Sequence, residues 1–235
     1  QREAKAAVQR ITARGRLPVL VGGTGFYIQA LLYDIDFTET REDTSYRSLL
    51  EEKARTEGNE SLYRMLQEKD PEAAAAIHQN NLKRVIRALE FTRETGEKIS
   101  DHNEEQRKRQ AAYDAVFFVL TMEREKLYRR IDLRVDQMME AGLLEEVKRL
   151  QEQGFTSRDV SMQGLGYKQI LQYLEGEGTL EDAVEQIKLQ TRHFAKRQLT
   201  WFRRERDVIW VNTDEFPSRE EMLDYMENTI RTRFS

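Results

Sequence analysis

The chain has 235 residues, no cysteine and only 3 prolines, and 34% of its residues are charged. That length supports one large domain, or one domain with an insertion, around a core that needs no staples; the missing cysteine excludes a disulfide framework, a thiolate nucleophile and a cysteine-based zinc site, and fits a reducing compartment. A formal net charge of −4 excludes a uniformly basic nucleic-acid binder but leaves room for a locally basic one. No apolar run approaches the ~18 residues of a membrane span and no signal peptide opens the chain, so a cytoplasmic, helix-rich protein without a membrane partner is expected.

Gln1–Arg14 reads as an amphipathic helix ended by Gly15. Leu17-Pro18-Val19-Leu20-Val21 is a short continuous apolar run, the mark of a strand buried on both faces. Gly22-Gly23-Thr24-Gly25 follows at once, and a helix runs on through Phe26–Leu32. Helix, buried strand, glycine turn and helix are α/β grammar. From Asp34 to about Gln110 the pattern is helical: Tyr46–Thr56, Ser61–Glu68, Pro71–His78 and Asn81–Thr95. The last of these has Asn80 or Asn81 to cap it, Gly96 to stop it, and Leu82, Val85, Ile86 and Leu89 on one face. Ala115–Leu120 is a second buried strand, followed by a helix from about Glu123 with Leu127, Ile131, Val135 and Met138 on its core face. Leu143–Gln153 continues a helical hairpin, and Gly164-Leu165-Gly166-Tyr167 interrupts the pattern before Lys168–Leu174. Thr179–Arg206 is a long helix opened by a capping box with Asp182 in place of Glu or Gln. Val208–Val211 is a third short strand and Ser218–Arg231 a final helix.

Charge is segregated along this order. Residues 188–206 hold seven cations (Lys188, Arg192, Lys196, Arg197, Arg203, Arg204, Arg206) against Glu205 alone, while residues 34–72 hold twelve acids and six bases. On the long helix Ile187, Phe194, Trp201 and Phe202 share a face, and the cations lie opposite and beside it. An apolar seat under a basic stripe fits contact with a nucleic-acid backbone; the alternative is a solvated helix face. Lys83, Arg84 and Arg87 form a second basic cluster. Arg130 and Arg134 are four apart and share one helical side. Two guanidinium forks side by side suit a diphosphate, unless Asp132, Asp136 or Glu123 neutralises them. The Gly22–Gly25 turn lets a backbone approach an anion closely, with N–H groups of the following helix pointing toward it. It lacks the Gly-Lys-Ser/Thr ending of a Walker A loop, and a ligand-free tight turn is its alternative. His78, His102 and His193 are too scattered for a metal site.

LPVLVGGTGFYIQALL, KRVIRALEFTRETG, LYRRIDLRVDQMMEAGLLEEV, QGLGYKQILQYLEGE and TRHFAKRQLTWFRR, in that order, resemble the tRNA dimethylallyltransferase family, also called tRNA isopentenyltransferases. The blocks cover nearly the whole chain. The resemblance implies transfer of a dimethylallyl group from dimethylallyl diphosphate to N6 of adenosine 37, beside the anticodon, with Mg²⁺ assisting departure of diphosphate. It implies an α/β fold: a P-loop NTPase-like core formed by residues 1–36 and 113–235, with a mostly helical insertion domain at 37–112. The implied partners are a tRNA anticodon stem-loop and dimethylallyl diphosphate, and the implied state is a monomer.

The family's glycine-rich P-loop and its Asp-Ser motif, whose aspartate is held to act as base on the adenine amine, are not in this sequence. The chain is therefore expected to be a fragment that does not turn over alone. His78-Gln79-Asn80-Asn81 also stands where the family more often shows His-Pro-Asn-Asp. Residue by residue, the resemblance makes Thr24, Arg130 and Arg134 catalytic, and makes Gly22, Gly23, Thr24, Gly25, Arg130 and Arg134 partners of the diphosphate. It assigns tRNA contact to Thr24, to Arg47, and to the run Lys83, Arg84, Val85, Ile86 and Arg87. It assigns the same to Gln163, Gly164, Leu165, Gly166 and Tyr167, and to Arg192, Lys196, Arg197, Gln198, Leu199, Thr200, Trp201, Phe202 and Arg203. An adenylate dimethylallyltransferase, disfavoured by the long helical insertion, and a non-catalytic RNA-binding fragment are the alternatives.

Overall fold

The computed structural model describes residues 1–35 and 44–234, which form two compact units. One comprises Gln1–Val21 and Phe26–Asp114; the other comprises Gly22–Gly25 and the chain from Ala115 on. The expected boundary at residues 36–37 lies outside the described residues.

In the first unit, α1 (Arg2–Thr12) is followed by α2 (Gly25–Leu32), whose first residue belongs to the other unit. Gln1 Nε2 donates to the carbonyl oxygens of Ala30 at 2.8 Å and Ile35 at 2.9 Å, and Lys5 pairs with Asp34. The strand expected at Leu17–Val21 is not formed, and Val19 and Val21 are 75% and 88% exposed. A β-branched apolar run favours a strand only where a neighbour completes its hydrogen-bond ladder, and no described residue pairs with this one.

The rest of the first unit is helical: α3 (Thr44–Glu57), α4 (Asn59–Lys69), α5 (Pro71–Ala76), α6 (Leu82–Thr95) and α7 (Ile99–Lys108). Leu50 of α3, Leu62 and Leu66 of α4, and Val85 and Leu89 of α6 are fully buried in one cluster. Each contributes about 1.5–3 kcal/mol of transfer free energy. The face expected on α6 is the face that packs. Gly96 ends α6 with φ 76°, and Asn81 stands at its N-cap without a side-chain hydrogen bond. Helix α7 escapes periodicity because ISDHNEEQRK carries little apolar signal. It is held instead by Asp70 and by the His102 ring, 4.9 Å from that of Phe91.

Asp70 is fully buried between α4 and α5. Its Oδ1 accepts from the Ala73 N–H and its Oδ2 from the Ser100 N–H, each at 3.0 Å, so one carboxylate caps α5 and anchors α7. Burial opposes its charge, but the Ala73 and Ser100 donors outweigh burial and hold the carboxyl below its ordinary value.

In the second unit β1 (Phe117–Thr121) pairs in parallel with β2 (Val208–Asn212), from Phe117 opposite Val208 to Thr121 opposite Asn212. Parallel neighbours need a crossover, here α8 (Arg124–Glu140), α9 (Leu143–Glu152), α10 (Tyr167–Leu174) and α11 (Leu180–Phe202); α12 (Arg219–Phe234) follows β2. Both strands match their expected positions. Burial is less complete than a doubly covered strand implies: Val119 and Val211 are buried, whereas Leu120 is 54% exposed. Val135, Leu143, Val147, Met162, Ile170, Leu171, Ala183 and Ile187 form the core under the four crossover helices. The capping box of α11 is present. Thr179 Oγ1 accepts from the Asp182 N–H at 3.1 Å, and Asp182 Oδ2 accepts from the Thr179 N–H at 3.0 Å.

Two ion pairs join α8 to α11. Arg192 Nη1 lies 2.8 Å from both oxygens of Asp132, and Lys188 Nζ lies 2.8 Å from Asp136 Oδ1. Acids four apart on α8 thus meet cations four apart on α11.

Replacing Asp70 by Ala strands two buried N–H groups and should cost about 2 kcal/mol in urea unfolding at neutral pH. Asp70→Asn keeps only one acceptor and should be intermediate. Because the folded carboxyl is held below its ordinary value near ~3.9, its contribution is complete above that pH and fades as pH falls through the lower folded value. The stability gap between the parent protein and Asp70→Asn should therefore narrow only in acid. A gap that is constant from pH 7 to pH 2.5 would show that the charge on Asp70 contributes nothing.

Candidate active site

The Gly22–Gly25 turn belongs to the second unit and rests on α11. Gln198 Nε2 donates to the Gly23 carbonyl oxygen at 2.6 Å. A Cβ on Gly23 would collide with that same amide, and a Cβ on Gly25 would collide with the indole ring of Trp201. Neither glycine has a positive φ. Each is required for its missing side chain rather than for left-handed backbone. Gly22 has open space where a side chain would start, and Thr24 is exposed. The turn ends where α2 begins, at Gly25, and the unsatisfied N–H groups of a helix start favour an anion.

Trp201 in turn lies beside Glu205. Burial pushes the Glu205 carboxyl above its ordinary range, and the nearby Trp201 indole pulls the other way. Sequence reasoning passed over Glu205. The signal available was its position as the one acid among seven cations between residues 188 and 206.

The basic stripe of α11 divides in two. Lys188 and Arg192 are tied to Asp136 and Asp132. The Asp136 hydrogen bond raises the Lys188 ammonium above its ordinary value, against burial. Lys196, Arg197 and Arg203 are exposed, with the Arg197 guanidinium 5.8 Å from the centre of the Phe194 ring. Phe202 is buried edge-on to Phe117, so its side chain serves the core; Leu199 is half-buried, and Thr200 is exposed with its hydroxyl donating to the Lys196 carbonyl. Arg192 was expected at the RNA surface. It is 25% exposed and paired with Asp132.

Arg130 and Arg134 are exposed on α8. Arg130 Nη1 lies 3.9 Å from Met122 Sδ, and neither arginine has a carboxylate partner among the described residues. The acids able to neutralise them are occupied elsewhere: Asp132 and Asp136 by α11, and Glu123, at 3.9 Å, by Lys126. Two positions along a helix turn a side chain by about 200°, so Asp132 and Asp136 face nearly opposite to Arg130 and Arg134. No hydrogen bond or ion pair among the described residues joins either arginine to the glycine turn.

In the first unit Lys83 and Arg84 are exposed and Arg87 is half-buried. Val85 and Ile86, expected among the RNA contacts, are 0% and 4% exposed and face the core, so the exposed cations of that run are Lys83 and Arg84. Arg47 holds Glu90 through two parallel bonds, Nε to Oε1 at 2.9 Å and Nη2 to Oε2 at 2.6 Å. Glu90 is 6% exposed, so Arg47 compensates a buried charge while half of its own side chain stays open. The Glu90 hydrogen bond raises the Arg47 guanidinium further above its already high value, against burial.

The Gln163–Tyr167 run is a tight corner of the second unit. Gln163 donates to the Ser157 carbonyl, Gly164 and Leu165 are exposed, and Gly166 is buried with φ 100°. The Tyr167 hydroxyl donates to Glu146, and that bond together with burial raises its pKa. Among the described residues no three His, Asp or Glu side chains converge to hold a metal. A divalent cation held mainly by the oxygens of a diphosphate would need fewer protein ligands than that.

No helix of the described residues is long and apolar enough to cross a membrane. The sequence profile of the family described as IPP transferase matches residues 1–205. The tRNA dimethylallyltransferase of Lachnoclostridium phytofermentans is 56% identical over 223 residues, 95% of this chain and 71% of that protein. That of Acetivibrio thermocellus is 47% identical over 96% of this chain and 72% of its own length. Among solved structures, the full-length tRNA isopentenylpyrophosphate transferase of Bacillus halodurans superposes with a TM-score of 0.68 at 40% identity, over 99% of this chain and 72% of that one. A eukaryotic dimethylallyltransferase described as acting on tRNA gives 0.77 at 30% identity, over 98% of this chain and 61% of that one. The chain thus aligns along nearly its whole length with prenyltransferases of tRNA, and it belongs to the tRNA dimethylallyltransferase (IPP transferase) family.

Proposed function

We propose that this protein transfers a dimethylallyl group from dimethylallyl diphosphate to N6 of adenosine 37 of tRNA, giving N6-isopentenyladenosine and diphosphate. The observation that carries the reading is the glycine turn held against α11, a helix whose neighbouring side chains Lys196, Arg197 and Arg203 are open to an RNA backbone. Residues 37–112 form a helical insertion domain in this reading. The parallel pair β1–β2 is part of a P-loop NTPase-like core, and the protein works as a monomer on the anticodon stem-loop.

The reaction sets three physical tasks. The adenine leaves its stack to present N6, which costs a few kcal/mol and is offset by pocket contacts. The primary carbon of the ester is held in line with N6, so that the C–N bond forms as the C–O bond breaks and N6 gives up one proton to a base or to water. The electron pair of that C–O bond leaves on diphosphate, and its growing charge is met by oriented N–H groups and guanidinium forks. The backbone of Gly22, Gly23, Thr24 and Gly25, together with Arg130 and Arg134, performs the third task. Thr24 adds a hydroxyl at the channel. Lys83, Arg84 and Arg87, with Lys196, Arg197 and Arg203, grip the RNA, and the corner from Gln163 to Tyr167 adds a further contact.

The acceptor decides between this reading and its sibling. Incubation of the complete protein with dimethylallyl diphosphate and either tRNA or AMP, followed by nuclease digestion and mass spectrometry, should place the added mass on a tRNA adenosine and leave AMP unmodified. Modification of AMP alone would replace the reading with an adenylate dimethylallyltransferase.

The two halves of the basic stripe should behave differently. Replacing Lys196 and Arg197 by Ala should weaken tRNA binding and reduce the slope of log K against log salt by about 1.4 to 1.8, the loss of two phosphate contacts. Arg192→Ala should leave that slope unchanged and lower thermal stability, because it leaves Asp132 unpaired. Equal slopes for all three proteins would make Lys196 and Arg197 solvent-facing only.

Arg130→Ala should lower kcat by on the order of 10²-fold, with little change in tRNA affinity, if it meets charge that grows on the leaving group. Lys should rescue only in part, since an ammonium cannot offer two parallel donors. A variant whose only defect is a raised KM for tRNA would move Arg130 to the RNA surface.

A further inference from the structure

The Gly22–Gly25 turn has little with which to hold itself. Three of its four residues lack side chains, and the Thr24 hydroxyl and backbone N–H make no hydrogen bond among the described residues. Its conformation is determined from outside, by two side chains one helical turn apart on α11. Gln198 fixes the direction of the Gly23 carbonyl, and the Trp201 ring occupies the space beside Gly25.

The direction of that carbonyl has a consequence for the neighbouring amide. The peptide bonds of the described chain are trans. Across a planar trans peptide the carbonyl and the following N–H point in opposite directions. With the Gly23 oxygen drawn to Gln198, the Thr24 N–H is turned away from α11, toward the exposed side of the turn. A flip of the peptide between Gly23 and Thr24 changes ψ at Gly23, which glycine tolerates, and φ at Thr24, where a β-branched residue resists the positive side, so the Gln198 bond adds to a bias that Thr24 already carries. A flip would withdraw the N–H and present a carbonyl oxygen to an anion.

We infer that Gln198 and Trp201 are positioning residues, which act on the reaction by holding the Gly23–Thr24 peptide in the orientation that offers its N–H to the diphosphate. The inference rests on the diphosphate reading of the turn. It assigns these two side chains to the turn rather than to RNA. Lys196, Arg197 and Arg203 remain on the same helix to hold the RNA, so one rigid element carries both the RNA grip and the orientation of the anion site.

The test uses the complete protein with Gln198→Ala, Gly23→Ala and the double variant, each first checked for an unchanged thermal melt. Loss of one such hydrogen bond should weaken binding of inorganic diphosphate, measured by calorimetry, and lower kcat by about tenfold each. The Kd for tRNA should stay within about twofold of the parent, a change too small to be a lost hot-spot contact. Gly23→Ala displaces the same amide, so it should produce a similar loss, and the double variant should be no worse than Gln198→Ala alone. Additive losses, or a weakened tRNA Kd with normal diphosphate affinity and kcat, would overturn the inference. The diphosphate measurement needs no acceptor, so it stands if the proposed tRNA reaction fails: a parent protein that binds diphosphate but does not modify tRNA refutes the function and leaves this assignment to be judged on the calorimetry. A parent protein that binds no diphosphate overturns the inference with the reading of the turn.

Discussion

The rotation of α11 about its own axis is the constraint on which the second unit depends. Arg192 to Asp132 and Lys188 to Asp136 form two rungs, each at 2.8 Å, between antiparallel ranks of charges on α11 and α8. A single rung would leave the helix free to roll; two rungs one turn apart fix its azimuth. Given that azimuth, Ile187 and Phe202 enter the core, Gln198 and Trp201 meet the glycine turn, and Lys196 and Arg197 are left outside. The rungs are only partly exposed, with Arg192 at 25% and Lys188 at 15%. Their worth therefore lies more in specifying one geometry than in net stability, since desolvation offsets much of the attraction.

The same rungs explain why Arg130 and Arg134 are bare. A helical pair of arginines beside aspartates is ordinarily a local ion-pair network, and α8 carries the acids to make one. Here those acids point to the other side of the helix and are spent on α11. The cations that result have no carboxylate partner among the described residues and are anchored on a packed helix, which suits a polyanion. In the first unit, by contrast, the Arg47 guanidinium is committed to buried Glu90 while half of its side chain stays open, so any contact it makes with RNA must share it.

What the sequence disclosed, and what it withheld, follows from how far each feature reaches along the chain. The Thr179–Asp182 capping box, the Gly96 stop and the packed face of α6 are settled within four residues, and all three were legible. The run Leu17–Val21 has strand composition, but a strand is a property of a pair, and its partner is not among the described residues. The basic stripe was legible as charge and not as surface, because the acids that bind its first half lie about fifty to sixty positions away on α8. Helix α7 left no periodic trace because what holds it is the backbone of Ser100 on a carboxylate thirty residues earlier. Family resemblance named the runs that matter, but not which side chains in them face outward. Val85, Ile86 and Phe202 are core residues inside runs assigned to RNA.

The glycine turn shows the same limit most clearly. Read locally, four small residues between an apolar run and a helix are equally a phosphate cradle or a ligand-free bend. Nothing nearby in the chain separates the two. What fixes its conformation lies 175 positions away, where Gln198 and Trp201 close on Gly23 and Gly25. A contact of that span cannot be favoured by chain connectivity, whose entropic cost grows with the loop it closes. It persists only because α11 is already fixed by its packing and its two rungs to α8. The glycines at 23 and 25 are therefore set by a surface that the crossover helices build, and the absence of a Cβ at each is a record of α11 lying against them rather than a mark of flexibility.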